Sequence, residues 1–210
     1  MKNPNTYDYN GLKEEFISMQ KAYEEDDKLR EQIIILSRDI VKPAKQAIYN
    51  THRGDFSHAK QQLNHAKDQI HKAKDLLLES SFNDIGSFRA GLEEYVEAQL
   101  FYQFVVDNKI ALSSECDLTF ELPAEVYISA IADFTGELIR FAIKKATKNE
   151  IKTVLFISET IEELFGLTQG FNVRSGDLRR KIDSVKYNLA KIEQIVYDIH
   201  MKKDALIDVI

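Results

Sequence analysis

Between residues 55 and 80 the apolar side chains Ala59, Leu63, Ala66, Ile70, Ala73 and Leu77 recur at alternating spacings of four and three. A strand would place its apolar residues two apart, so this heptad seam commits the segment to a helix with one face that must be covered. Half of the seam is alanine, which lets a partner helix approach closely and offers a packing face for another subunit. The rest of the chain supplies other helices to meet it. Only 8 Gly and 3 Pro occur in 210 residues, well under average usages of roughly 7 % and 5 %. Few turn formers over that length mean few turns and long elements. With 44 % hydrophobic and 30 % charged residues, the chain can bury a core behind a wet surface and is not of disordered composition.

The segments read as follows. Residues 7–26 form a short acidic helix. Residues 28–53 form a second, with Ile33, Ile34, Leu36, Ile40, Ala44 and Ile48 as apolar positions. Pro43 lies inside it and predicts a kink or break, because proline lacks the N–H and clashes one turn back. His52, Arg53 and Gly54 end that helix. Helices then cover 55–80 and 83–108, and a polar loop covers 113–121. Pro123 opens a helix running to about Thr147, where proline is tolerated. Residues 151–167 and 178–203 are helical, with Ser175 or Asp177 as N-cap of the last. No hairpin signal appears. The expected fold is all-α, a single domain over 1–210 of about six or seven mostly antiparallel helices. Residues 1–10 are expected to be poorly ordered.

Cys116 is the lone cysteine, so no internal disulfide can form, which suits a reducing compartment. No stretch approaches the ~20 apolar residues that span a bilayer, and the polar first residues lack a signal-peptide core. A cytoplasmic location and no membrane partner are expected. The net charge of −6 argues against generic nucleic-acid binding unless positive charge is local. It is local. From Arg174 to Lys203 eight basic residues face four acidic ones, 8 − 4 = +4.

Two acidic pairs interrupt apolar stripes. Glu94 and Glu97 are three apart and share a helix face with Phe101, Phe104 and Val105. Asp133 and Glu137 are four apart, in line with Val126, Ala130 and Phe141. An isolated pair at this spacing is ordinarily a solvated face. Ionised acids on a partly apolar stripe are costly unless paired or bound to metal. Gly136, between the second pair, is either a packing glycine or room for a helix or ligand. Four converging carboxylates suit a hard cation such as Mg²⁺ or Mn²⁺, and the chemistry of phosphodiester hydrolysis. Di-iron bundles use a Glu-x-x-His motif that neither pair has.

At these residues the chain resembles the translin family, within it the translin-associated factor X branch. The resemblance runs from about Leu29 to Lys203. It is carried by Leu36-Ser37-Arg38-Asp39-Ile40, Glu94-Tyr95-Val96-Glu97-Ala98, Asp133-Phe134-Thr135-Gly136-Glu137-Leu138, and the run from Leu178-Arg179-Arg180-Lys181 through Ser184-Val185-Lys186-Tyr187 to Val196-Tyr197-Asp198-Ile199. The resemblance implies a homo-oligomeric shell, an octamer, that binds single-stranded RNA or DNA and can include a second translin-family subunit. For the factor X branch it implies a Mg²⁺-dependent endoribonuclease, with Glu94, Glu97, Asp133 and Glu137 as catalytic and metal-binding residues. Pro43 departs from the pattern. So does the absence of a basic, histidine-rich patch before the first acidic pair, where only Arg89 remains. With the family match, Arg89, Arg179, Arg180, Lys181 and Lys186 are the expected RNA contacts. Tyr187 reads as a core residue, with stacking on a base as the alternative. His58, His65 and His71 read as surface residues rather than zinc ligands, and Cys116 has no base beside it to make it a nucleophile. Two rival readings stand beside the nuclease: a non-catalytic nucleic-acid-binding scaffold and a purely structural coiled-coil protein.

Overall fold

The computed structural model describes residues 9–207, with side chains for 9–201. Among the described residues, six α-helices make up the fold: α1 (Asn10–Arg53), α2 (Phe56–Glu79), α3 (Gly86–Asp107), α4 (Ala124–Thr147), α5 (Ile151–Thr168) and α6 (Asp177–Ile207). A short 3₁₀ turn, Ser113–Glu115, lies between α3 and α4. No strand occurs among the described residues. The expected poorly ordered N-terminus falls mainly on residues 1–8, which lie outside the described residues, while Asn10 is already helical.

The two helices expected before residue 53 are one. α1 runs unbroken through Asp26–Lys28 and through Pro43, which is buried. An interior proline costs roughly 3 kcal/mol. Burying Ile33, Ile40 and Ile48, all at most 6 % exposed, contributes roughly 5–9 kcal/mol at about 1.5–3 per side chain, so tertiary packing decides the outcome. The buried seam Ile33, Ser37, Ile40, Ala44, Ala47 and Thr51 keeps the four-three alternation. The hydroxyls of Ser37 and Thr51 donate one turn back, to the carbonyls of Ile33 (2.6 Å) and Ala47 (2.8 Å). Traced toward the N-terminus, the same spacing reaches Leu12, Phe16, Met19 and Tyr23, all exposed.

Gly54, left-handed at φ 81°, turns the chain between α1 and α2. Asp55 caps α2 by accepting from the His58 N–H at 3.3 Å. The hairpin is tied at its far end, where Asp26 accepts from the Ser81 N–H (3.0 Å) and hydroxyl (2.5 Å). Every seam residue of α2 is buried within the subunit. The seam therefore closes the α1–α2 hairpin and is not free to join subunits, as its sequence allowed.

α1, α2 and α3 pack mutually, α4, α5 and α6 pack mutually, and α3 against α4 joins the two groups. Edge-to-face pairs lock that joint: Phe104 on Phe134 and Phe101 on Phe141, each with centroids 5.7 Å apart. The α3–α4 connection is tethered by Tyr95, whose hydroxyl donates to the Cys116 carbonyl at 3.1 Å, and by Tyr127, which donates to the Ala111 carbonyl at 2.8 Å. Cys116 is buried there, and burial pushes its thiol up to about 11, a poor nucleophile. Among the described residues, no helix is long and apolar enough to cross a membrane.

Candidate acidic site between α3 and α4

Glu94 and Glu97 sit on the stretch of α3 that packs on α4, and Asp133 and Glu137 sit on the facing stretch of α4. Their neighbours on each helix are core: Tyr95, Val96, Ala98, Phe101, Phe134 and Leu138 are all nearly inaccessible. The packing of those side chains brings the two acidic pairs to one place. Glu97 registers the result. Burial, then the charges of Asp133, Glu94 and Glu137, push its carboxyl up to about 8, and Lys181 only partly offsets them. Glu97 has no hydrogen bond or ion pair with any described residue.

The other three carboxylates each hold a cation. Glu94 pairs with Lys45 of α1 at 3.2 Å. Asp133 accepts from Lys181 of α6 at 2.7 Å, and the same ammonium reaches Glu93 at 2.5 Å. Glu137 meets His52 Nε2 of α1 at 2.5 Å and Arg140 at 3.3 Å. Burial raises the Glu137 carboxyl, but the His52 hydrogen bond and charge, with Arg140, outweigh it and hold the group below its ordinary value. Burial lowers the Lys181 ammonium, but Asp133 and Glu93 hold it above its ordinary value. In this arrangement no three Asp, Glu, His or Cys side chains among the described residues are gathered tightly enough to share a metal ion. The donor chemistry nonetheless fits a hard cation. The set is all oxygen, and Glu97 is crowded by three like charges that a cation would neutralise. A cleft of about 830 Å³ opens beside Asp133, between α3, α4 and the start of α6, with Arg89, Glu93, Arg180 and Lys181 in its walls.

The expected RNA contacts fall into two groups. Lys181 turns inward onto Glu93 and Asp133, so in this arrangement it is a counter-ion of the acidic site and not a free backbone contact. Arg89, Arg179, Arg180 and Lys186 lie at the surface. Arg89 pairs with Asp84 and Glu125, Arg179 with Asp183, and Arg180 with Asp177. Exposed pairs of this kind contribute about 0–1 kcal/mol, so a phosphate can displace them. Lys186 is exposed and unpaired among the described residues. Tyr187 beside it is 74 % exposed, which overturns the core reading. Of the α2 histidines, His58 and His65 are at the surface as expected. His71 is half-buried, and its Nε2 has no partner. Gly136 faces Asn188 of α6, and a Cβ there would stand 3.8 Å from the Asn188 amide nitrogen. That is ordinary contact, so the helix approach does not require glycine.

Sequence reasoning missed Lys45, His52, Glu93 and Arg140. Glu93 stands four before Glu97, so the spacing rule that selected Glu94 also allowed it. His52 carried no comparable signal, because its partner lies 85 residues away.

The translin family model matches residues 28–203. Chicken (Gallus gallus) translin is 29 % identical over 116 residues, which is 55 % of this chain and 51 % of that protein. The aligned part thus spans about half the length of the translins. The translin-associated protein X homolog of Schizosaccharomyces pombe is 25 % identical over 205 residues, covering 89 % of this chain and 87 % of that one. Among solved structures, AfC3PO in complex with duplex RNA superposes with a TM-score of 0.79 at 19 % identity, covering 90 % of this chain and 97 % of that one. Apo-NeC3PO gives 0.75 at 24 %, covering 94 % and 98 %. With the family model spanning most of the chain and the fold shared over nearly its full length, this protein belongs to the translin family.

Proposed function

We propose that the protein is a metal-dependent endoribonuclease acting on single-stranded RNA within an oligomeric translin-family shell. The observation that carries the reading is Glu97, a half-buried carboxylate without a partner, set among Asp133, Glu94 and Glu137. Burial and the three neighbouring acids make ionising Glu97 costly in the metal-free protein, and a cation taken up beside it would offset that cost. Glu94, Glu97, Asp133 and Glu137 would hold one or two Mg²⁺ ions, with Mn²⁺ as a substitute. Such an ion, when bound, lowers the pKa of water and stabilises charge on phosphoryl oxygens.

The chain's own groups supply the rest. One carboxylate of the set orients the attacking water and takes its proton. Lys181, released from Asp133 as the acidic charge is neutralised, is placed to meet a phosphate in the adjoining cleft. Arg179, Arg180 and Lys186 track the RNA backbone along α6, with Arg89 at the end of α3 nearest the cleft, and Tyr187 offers a stacking face. A homo-octamer, with a second translin-family subunit as an optional partner, remains the proposed assembly. The exposed Leu12, Phe16, Met19 and Tyr23 on α1 offer it an apolar face in place of the closed α2 seam. A cytoplasmic location belongs to the same proposal and rests on the lone cysteine.

The second reading is a non-catalytic scaffold that binds single-stranded RNA or DNA. What favours it is that Glu94, Asp133 and Glu137 already hold protein cations. Cleavage of an end-labelled single-stranded RNA in Mg²⁺ or EDTA, wild type beside Glu97→Ala, separates the two. The nuclease reading expects Mg²⁺-dependent products from wild type alone, with RNA binding retained by the variant. Equal cleavage by both proteins, or none by wild type in Mg²⁺, refutes it. A duplex RNA arm reports strand preference.

A further inference from the structure

We infer that His52 is a positioning residue of the acidic site, holding the Glu137 carboxylate in place from a third helix; the inference rests on the metal-site reading above. His52 lies at the penultimate position of α1, far in sequence from both acidic helices. Its side chain is only 9 % exposed. Nε2 stands 2.5 Å from Glu137 Oε2, which requires the proton of that bond to lie on Nε2 when the carboxylate is ionised. The ring packs on Phe101 at 4.4 Å and reaches Phe141 at 6.2 Å between centroids. Phe101 stands on α3, one turn beyond Glu97. Phe141 stands on α4, one turn beyond Glu137. The backbone carbonyl of His52 also accepts from the Lys144 ammonium of α4. One residue of α1 therefore touches both helices that carry the acids.

Among the described residues, no other side chain does this for Glu137. Arg140, its other partner, lies on the same helix, is 62 % exposed, and makes contacts of 3.3–3.4 Å. A same-helix, solvated guanidinium can screen the carboxylate but cannot set where α4 presents it. A buried imidazole fixed between two aromatic rings can. Carboxylates that bind metal are themselves hydrogen-bonded, and losing such an outer partner typically weakens metal binding 10–100-fold.

The test is Mn²⁺ binding to the full chain, read by calorimetry and by the electron paramagnetic resonance of free Mn²⁺, with the fold of each variant checked by circular dichroism. Glutamine places an amide nitrogen about where His52 Nε2 lies, whereas asparagine falls short and leucine has no donor. His52→Leu and His52→Asn should weaken Mn²⁺ binding by about tenfold or more, and His52→Gln should stay within about threefold of wild type. In a Glu137→Gln background, His52→Leu should weaken binding no further. Wild-type affinity in folded His52→Asn or His52→Leu overturns the inference, as does a loss that persists in full beside Glu137→Gln. Should His52→Leu not fold, the contrast between the asparagine and glutamine variants decides the matter, and equal affinity in those two overturns it. No Mn²⁺ binding by wild type refutes the metal reading itself, and the inference with it.

Discussion

Replacing Glu97 with glutamine removes an ionisable group from the centre of the acidic site while keeping its shape. In the folded protein the Glu97 carboxyl titrates at about 8, chiefly through burial and then through Asp133, Glu94 and Glu137, against 4.5 for an ordinary glutamate. Between those values the folded chain keeps a proton that the unfolded chain has released. Stability of the metal-free protein is therefore full below the unfolded value, and it falls as pH rises toward the folded one. The whole interval corresponds to roughly 5 kcal/mol at about 1.4 kcal/mol per tenfold. Water reaches this half-buried group, and screening brings the expected loss to about 2 kcal/mol between about pH 5 and about pH 9. Glutamine is neutral throughout. Urea unfolding in EDTA should thus show Glu97→Gln gaining about 2 kcal/mol on wild type across that range, other titrations cancelling in the difference. Saturating Mg²⁺ near pH 8 should narrow or invert the gap, since only wild type presents the full ligand set and gains stability by linkage. A difference between variant and wild type that does not change with pH in EDTA would refute the account of Glu97.

Two further outcomes follow from the same geometry. Lys181→Met leaves Asp133 and Glu93 without their ammonium, so the melting temperature in EDTA should fall, by an amount corresponding to about 1–2 kcal/mol for partly exposed acids losing a charged hydrogen bond, and Mg²⁺ should restore most of it; a variant as stable as wild type in EDTA would show that Lys181 does not neutralise the site. Arg179→Ala, Arg180→Ala and Lys186→Ala together should weaken single-stranded RNA binding and flatten its dependence on salt by about 2 in the log–log slope, at about 0.7 per phosphate contact. Filter binding across a salt series measures this, and an unchanged slope would remove α6 from the RNA path.

Much of the architecture was legible in the chain itself. The seam from Ala59 to Leu77, the proline before α4 and the turn at Gly54 are local signals, and local hydrogen bonding and side-chain spacing are enough to read them. α1 was read as two helices, 7–26 and 28–53, with a kink or break at Pro43; that proline is a local signal, and long-range burial overrode it. Asp26 caps the loop after α2, and Pro43 is enclosed with Ile40 and Ala44. Tyr187 was misassigned for the converse reason. A tyrosine in a helical pattern carries no mark of which way the helix face turns, and α6 turns it outward.

The acidic site divides in the same way. Spacing alone put Glu94 with Glu97 and Asp133 with Glu137, because a helix fixes which residues share a face. Resemblance to a family marked the four as one set. That the two pairs meet depends on Phe101, Phe104, Phe134 and Phe141 interlocking between α3 and α4. What surrounds them depends on α1 and α6, which deliver Lys45, His52 and Lys181. A sequence determines its helices and their faces through interactions a few residues long. Which faces meet, and so which charges neutralise which, is decided only when packing brings together residues that the chain itself holds far apart.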